Sequence, residues 1–469
     1  MDTKEILGYA AGSIGSAVLA VIILPLLSWY FPADDIGRIV LMQTAAGLTV
    51  SVLCLGLDQA YVREYYAAAD KDTLFKTLFL PPLLSAAAIA ALLLSRPSLP
   101  SEILFSLDDA AAGIGLVLFE LSFLPIRFLL LVLRMEGRAL AFSSAQLVSK
   151  LAILLLLPLT VGLLHFPANT AVYALANLAA AAFLLFQNRC RLKAVRRAPF
   201  SSAVLHRGLR YGIPIALSSI AYWGLASADR LFLKKYAGLE QLGVYSMGIS
   251  FGGAALLFQS IFSTVWTPYI FRAIEANAPP ARLSATAESA AALLASALCL
   301  TGIFSPLASL LLPENYAAVR FIVVSCMLPP LFCTLVEISG IGLNVVRKTR
   351  PIALATLGAL AANLLLLGLA VPSGGARGAA VACATSFWLF FVFKTESSCR
   401  LWQPLKRLPL YMHTLFCLAS SAAYTCFGTP ANYPLFAGVW AVYLAGCILR
   451  HRKDLHKLFH YLKKQGFPL

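Results

Sequence analysis

Six ionisable residues lie inside, or at the end of, long apolar runs: Glu120, Arg127, Lys150, Asp229, Arg230 and Glu337. In a bilayer, a charge at the centre costs about 2.5–3.5 kcal/mol on insertion scales, so such groups face a bundle interior or a wet cavity. Lys150 lies about 18 Å beyond Arg138 along a helix, near mid-membrane. It either lines a cavity or partners an acid such as Glu120 or Glu337. Glu120 and Arg127 share one helix face two turns apart, with Pro125 between them. They read equally as a charge network holding helices together and as a substrate or proton site. Glu337 precedes the small residues Ser339, Gly340 and Gly342, which suit close helix packing. The Asp229-Arg230 pair ends an apolar helix a turn or two inside the interface. Arg63 follows another apolar run, among Asp58, Tyr61, Glu64, Tyr65 and Tyr66. Its guanidinium can meet a phosphate bidentately or snorkel in an aromatic belt.

Other chemistries are poorly supplied. His165, His206, His413, His451, His456 and His460 all sit at or beyond the ends of apolar runs, which argues against a catalytic or zinc-binding histidine cluster. No metal or cofactor is expected. The ten cysteines are mostly scattered within the runs without a CxxC pair and read as small buried hydrophobes.

The composition explains why these charges matter. Of 469 residues 60% are hydrophobic and 12% charged, and the mean hydropathy is +0.80. Soluble domains carry roughly 25% charge, and disorder needs low hydrophobicity. The expected fold is an all-α polytopic membrane protein of about fourteen transmembrane helices. Two segments repeat weakly. Asp34-Asp35-Ile36-Gly37 matches Glu240-Gln241-Leu242-Gly243, and the basic loop before Lys150 matches Arg347, Lys348 and Arg350 before Asn363. The repeat predicts two six-helix bundles, residues 1–200 and 201–400, related by pseudo-two-fold symmetry and facing a central cavity. Residues 401–469 add two helices and a basic tail. Pro25, Pro125, Pro158, Pro214 and the Pro329-Pro330 pair interrupt helices as moving bundles require. The longest segment outside the spans, about 188–210, is too short for a folded domain.

Lys and Arg set the direction. With the amino terminus inside, about 29 of the 37 fall on the cytoplasmic side. The densest clusters are Arg189 to Arg197 and the tail from Arg450 to Lys464. The net charge of +16 therefore reports orientation and contact with anionic lipid, with both termini cytoplasmic. No aromatic-interleaved basic domain suggests nucleic acid. The start, Met1-Asp2-Thr3-Lys4-Glu5, lacks the basic region of a cleavable signal peptide.

Leu209-Arg210-Tyr211-Gly212-Ile213-Pro214, Ser227-Ala228-Asp229-Arg230-Leu231-Phe232-Leu233 and Leu242-Gly243-Val244-Tyr245-Ser246 resemble the central signature of bacterial polysaccharide-biosynthesis flippases. These lipid-linked-oligosaccharide exporters belong to the multidrug/oligosaccharidyl-lipid/polysaccharide exporter superfamily. Asp35-Ile36-Gly37, Arg63-Glu64-Tyr65, Pro313-Glu314-Asn315-Tyr316 and Arg377-Gly378-Ala379-Ala380 support the resemblance. It implies an inner-membrane protein that carries undecaprenyl-diphosphate-linked repeat units to the outer leaflet by alternating access. It also implies a cavity lined by cations, a proton or sodium as coupling ion, and contact with a polysaccharide polymerase. Span one of this chain carries no arginine, unlike related peptidoglycan-precursor flippases. Substrate binding is therefore assigned to Arg63, Arg127, Lys150 and Arg230, and ion coupling or a charge network to Glu120, Asp229 and Glu337.

Two alternatives follow. A multidrug or cation-coupled exporter of the same superfamily would favour an acidic, aromatic-lined cavity. An enzyme, a polymerase or ligase, would need a sizeable outer loop with catalytic residues, whereas the loop at about 95–110 is short and lacks histidine. The cargo's polymer, whether capsule, O-antigen of a lipopolysaccharide or another glycan, is not encoded in these features.

Overall fold

The computed structural model describes residues 3–161, 166–275, 280–346 and 348–464, and every regular element among them is helical. His165 and Arg347 lie outside the described residues, as do the side chains of the tail beyond Arg450. The chain divides into two compact units, Met1–Leu231 and Phe232–Leu469.

The first unit holds α1 (Thr3–Ser28), α2 (Ala33–Cys54), α3 (Leu57–Glu64), α4 (Lys71–Leu94), α5 (Leu99–Phe105), α6 (Ala110–Met135), α7 (Ala139–Val161), α8 (Phe166–Gln187), α9 (Arg189–Arg197) and most of α10 (Ser202–Tyr236). The apolar run of α2 predicts a helix through Leu57, but the helix stops at Cys54 because Leu55 and Gly56 take positive φ, 46° and 73°. At this break the backbone touches α10. A Cβ on Gly56 would lie 2.1 Å from the Gly212 carbonyl oxygen, and one on Gly212 would lie 2.6 Å from that of Leu55. Only glycine permits the approach.

Beyond the break, α3 buries Tyr61 against Phe75 of α4, and Phe75 meets Phe128 of α6, both edge-on at 5.8 and 6.3 Å. Aromatic area of this size fixes the mutual position of the three helices. The basic α9 also packs internally. Its Arg191 pairs with Glu136 and, at 3.4 Å, with Asp72. Lys76 of α4 donates to the carbonyls of Arg196 and Ala198.

The second unit holds α11 (Gly238–Glu275), α12 (Pro280–Phe304), α13 (Leu307–Leu311), α14 (Val319–Ser339), α15 (Ile341–Val345), α16 (Arg350–Leu401), α17 (Arg407–Phe427) and α18 (Tyr433–Lys464). Its centre is α14, buried along nearly its whole length. Hydroxyl pairs tie α14 to its neighbours, Ser325 to Thr425 and Ser339 to Thr395, each at 2.7 Å. In α16 the chain reverses at Gly375, φ 51° and ψ −131°. A Cβ on Gly378 would lie 2.1 Å from the Ala370 carbonyl oxygen, a contact that a straight helix cannot make. This one element therefore carries two of the expected spans.

By length and apolarity, eight described helices can cross a membrane, or nine if Ala171–Gln187 and Arg189–Arg197, bent by 73°, form one span. The sequence count of about fourteen is larger. In that number α16 enters once although it holds two spans, and the long polar-ended α10 does not enter.

Candidate functional site

Two cavities within the first unit separate the charges of α6. The larger, about 510 Å³, lies among α2, α3, α6 and α10 and is lined by Gln43, Ser51, Asp58, Gln59, Arg127 and Ser219 beside apolar residues. The turn at Leu55-Gly56 places Asp58 in the first turn of α3, facing α6. Phe128, its neighbour in the sequence, is locked in the aromatic core, so Arg127 points to the cavity side. Its Nε and Nη2 donate to Asp58 Oδ2 at 3.1 and 2.7 Å, and Gln59 Nε2 donates to the same oxygen at 2.9 Å. The Asp58 side chain is 9% exposed and that of Arg127 45%. Among the described residues Arg127 Nη1 has no hydrogen-bond partner. A carboxylate thus orients one edge of the guanidinium and leaves the other toward a polar cavity, an arrangement suited to an oxyanion.

The smaller cavity, about 240 Å³, is apolar and bounded by α2, α4, α5 and α6. Glu120 lines it with both carboxylate oxygens buried, and the Thr49 hydroxyl is the polar group beside them. Helical spacing puts Glu120 and Arg127 on one face, but α2 lies between their environments. Ala45, Thr49 and Leu53 face Glu120, whereas Gln43, Gly47, Val50 and Cys54 face Arg127. The two charges form no ion pair with each other.

The other sequence-derived candidates are dispersed. Arg63 lines neither cavity; its guanidinium stacks on Tyr211 at 4.2 Å and lies 4.0 Å from Glu64. Lys150 has no hydrogen-bond or ion-pair partner among the described residues, Glu120 included. It continues the α7 face on which Ser143 and Leu147 meet Gly12 and Gly15 of α1. Arg230 folds back on α10, donating to the Ala226 carbonyl at 3.2 Å and to Ser227 Oγ at 3.0 Å. Asp229 is buried, and its Oδ1 accepts from the Arg230 backbone N–H. In the second unit Glu337 accepts from Gln259 at 3.3 Å.

Sequence reasoning missed two partners. Asp58 was visible as a charge after span two, but nothing local links it to a residue on α6. Lys394, at the end of an expected span, lies within electrostatic reach of Glu337 and 5.0 Å from the Phe390 ring. Its signal was the apolar sequence on its amino-terminal side. Among the described residues no group of three His, Cys, Asp or Glu could hold a metal.

This multi-pass helical membrane protein carries a polar, arginine-bearing cavity in one bundle, and its fold is similar to that of solved transporters. A solved lipid II flippase MurJ, in an inward closed conformation, is similar with a TM-score of 0.70 at 11% identity, over 95% of this chain and 99% of that one. Multidrug resistance MATE family transporters of the MOP superfamily are similar in inward-facing form, with a TM-score of 0.57 at 13% identity over 83% and 95% of the two chains. The outward-facing form gives 0.56 at 14% over 88% and 96%. A sequence comparison with curated proteins finds no match. The family model described as polysaccharide biosynthesis protein matches residues 26–278, and the chain belongs to that family.

Proposed function

We propose that the protein is a flippase moving undecaprenyl-diphosphate-linked oligosaccharide repeat units from the cytoplasmic to the outer leaflet of a bacterial inner membrane by alternating access. The observation that carries this reading is Arg127, held by Asp58 with a free guanidinium edge in a polar cavity. A diphosphate needs such donors at membrane depth, while its prenyl tail can stay in lipid. Family membership supports surface polysaccharide synthesis as the setting. Lys150 and Arg63 are further contacts for cargo in other states of the cycle. Arg230, whose Nη1 is held by its own helix, would have to be released. Glu120, Asp229 and Glu337 are the candidates for coupling to a proton or sodium ion. The termini are cytoplasmic, and a polysaccharide polymerase is the natural acceptor of the cargo.

The test is genetic. Deletion should leave the lipid-linked intermediate accumulated on the cytoplasmic leaflet, with surface glycan restored by the wild-type gene. Normal glycan without accumulation, in a strain with no second flippase, overturns the reading. An exporter of lipophilic cations is the second reading, favoured by the apolar Glu120 cavity. Resistance to such cations that depends on Glu120, with no effect on glycan, would select it.

A further inference from the structure

In the second unit, two guanidinium groups converge on one ring. Arg320, in the first turn of α14, and Arg377, just beyond the reversal in α16, lie with Cζ 4.7 and 4.9 Å from the Phe321 ring centroid. Neither has a carboxylate within ion-pair distance among the described residues, and Glu314 in the preceding turn pairs with neither. Arg320 makes no hydrogen bond among them, and its Nε is buried. Arg377 spends one N–H, on the Cys426 carbonyl at 3.4 Å.

Neighbouring polar groups are already engaged. The Tyr424 hydroxyl shares a hydrogen bond with Ser305 at 3.0 Å, the Tyr433 hydroxyl donates to the Ile303 carbonyl, and Thr425 donates to that of Phe321. The spare donors of this cluster are therefore the arginines. Both cations also stand near the positive end of the α14 dipole, where a cation is disfavoured. The Phe321 ring offsets part of that cost. What remains is uncompensated positive charge with guanidinium N–H donors to spare on both arginines, the groups that bind tetrahedral oxyanions.

We infer that Arg320 and Arg377, both packed on the Phe321 ring, form a phosphate-binding site in the second unit, separate from the Arg127 cavity. Its surroundings favour a phosphate carried by a lipid headgroup. Phe427, next to the Cys426 carbonyl that Arg377 holds, is 73% exposed, and Leu435, in the first turn of α18 after Tyr433, is 70% exposed. Such residues offer a wall for alkyl chains beside the cationic pair. The inference does not depend on what the protein transports.

The experiment uses the full-length protein purified in detergent and native mass spectrometry, with phosphatidylglycerol in one arm and inorganic diphosphate in the other. Arg320→Gln/Arg377→Gln should weaken phosphatidylglycerol binding by about tenfold or more, the scale of one lost charge-assisted hydrogen bond. The double lysine variant should retain part of it. A loss confined to the diphosphate arm identifies a soluble phosphate as the ligand of the same site. Unchanged binding in both arms, with an unaltered size-exclusion profile, overturns the site. Arg377→Gln alone, which removes only one weak bond to the fold, gives the same reading if the double variant does not fold.

Discussion

Asp58 Oδ2 accepts from both Nε and Nη2 of Arg127, at 3.1 and 2.7 Å, joining α3 to α6 across the polar cavity. The pair is asymmetric, the carboxylate nearly buried and the guanidinium half-exposed. Removing either member therefore has different consequences. Arg127→Ala leaves a buried carboxylate with only Gln59 beside it and should cost about 1–3 kcal/mol, toward the low end because solvent reaches the pair. The double variant Asp58→Asn/Arg127→Gln should recover most of that stability in a thermal unfolding assay while remaining impaired in export. Recovery of export as well would make the pair structural.

The Gly56–Gly212 contact predicts a steric effect. A Cβ at position 212 would sit 2.6 Å from the Leu55 oxygen and 2.8 Å from the Gly56 carbonyl carbon. Gly212→Val should destabilise by about 1–3 kcal/mol or reduce the folded yield. Gly446→Ala, where nothing lies within 4 Å, should leave the melting temperature unchanged or slightly higher. Equal behaviour of the two variants in a fluorescence size-exclusion melt would contradict the packing argument.

Lys150→Ala should reduce surface glycan without reducing the amount of protein, and Lys150→Arg should retain export. The side chain supplies no hydrogen bond or ion pair to the described fold, so its loss leaves no partner stranded. Wild-type glycan in the alanine strain would remove Lys150 from the cargo path.

Glu120→Gln keeps the shape of the side chain and removes its exchangeable charge. Folding should be unaffected, because the glutamine carbonyl can still accept from the Thr49 hydroxyl and no ion pair is lost. If Glu120 carries the coupled proton, uptake into proteoliposomes under an imposed pH gradient should become insensitive to that gradient. Retained sensitivity assigns coupling elsewhere, with Asp229 and Glu337 next to be tested.

The class of fold was legible in the sequence because lipid imposes a single requirement, long apolar helices, which composition records directly. Within that class the charges inside apolar runs were visible, but their grouping was not. Seven-residue spacing joined Glu120 to Arg127, yet whether both meet one cavity depends on which neighbour covers each turn, and α2 happens to divide them. The Asp58–Arg127 pair needed the break at Leu55-Gly56, whose only sequence signal was a glycine in an apolar run. Arg230 read as a cargo-binding cation because a sequence does not reveal that one guanidinium nitrogen is turned back onto its own helix.

Transport by Arg127 is best tested in proteoliposomes containing a fluorescent undecaprenyl-diphosphate-linked saccharide, with leaflet exchange followed by quenching from outside. Wild-type protein should move the lipid between leaflets. Asp58→Asn/Arg127→Gln, reconstituted at the same level, should move it at least about tenfold more slowly, the scale of one lost charge-assisted contact. Equal rates for the two proteins would show that the Arg127 cavity is not where the diphosphate is held.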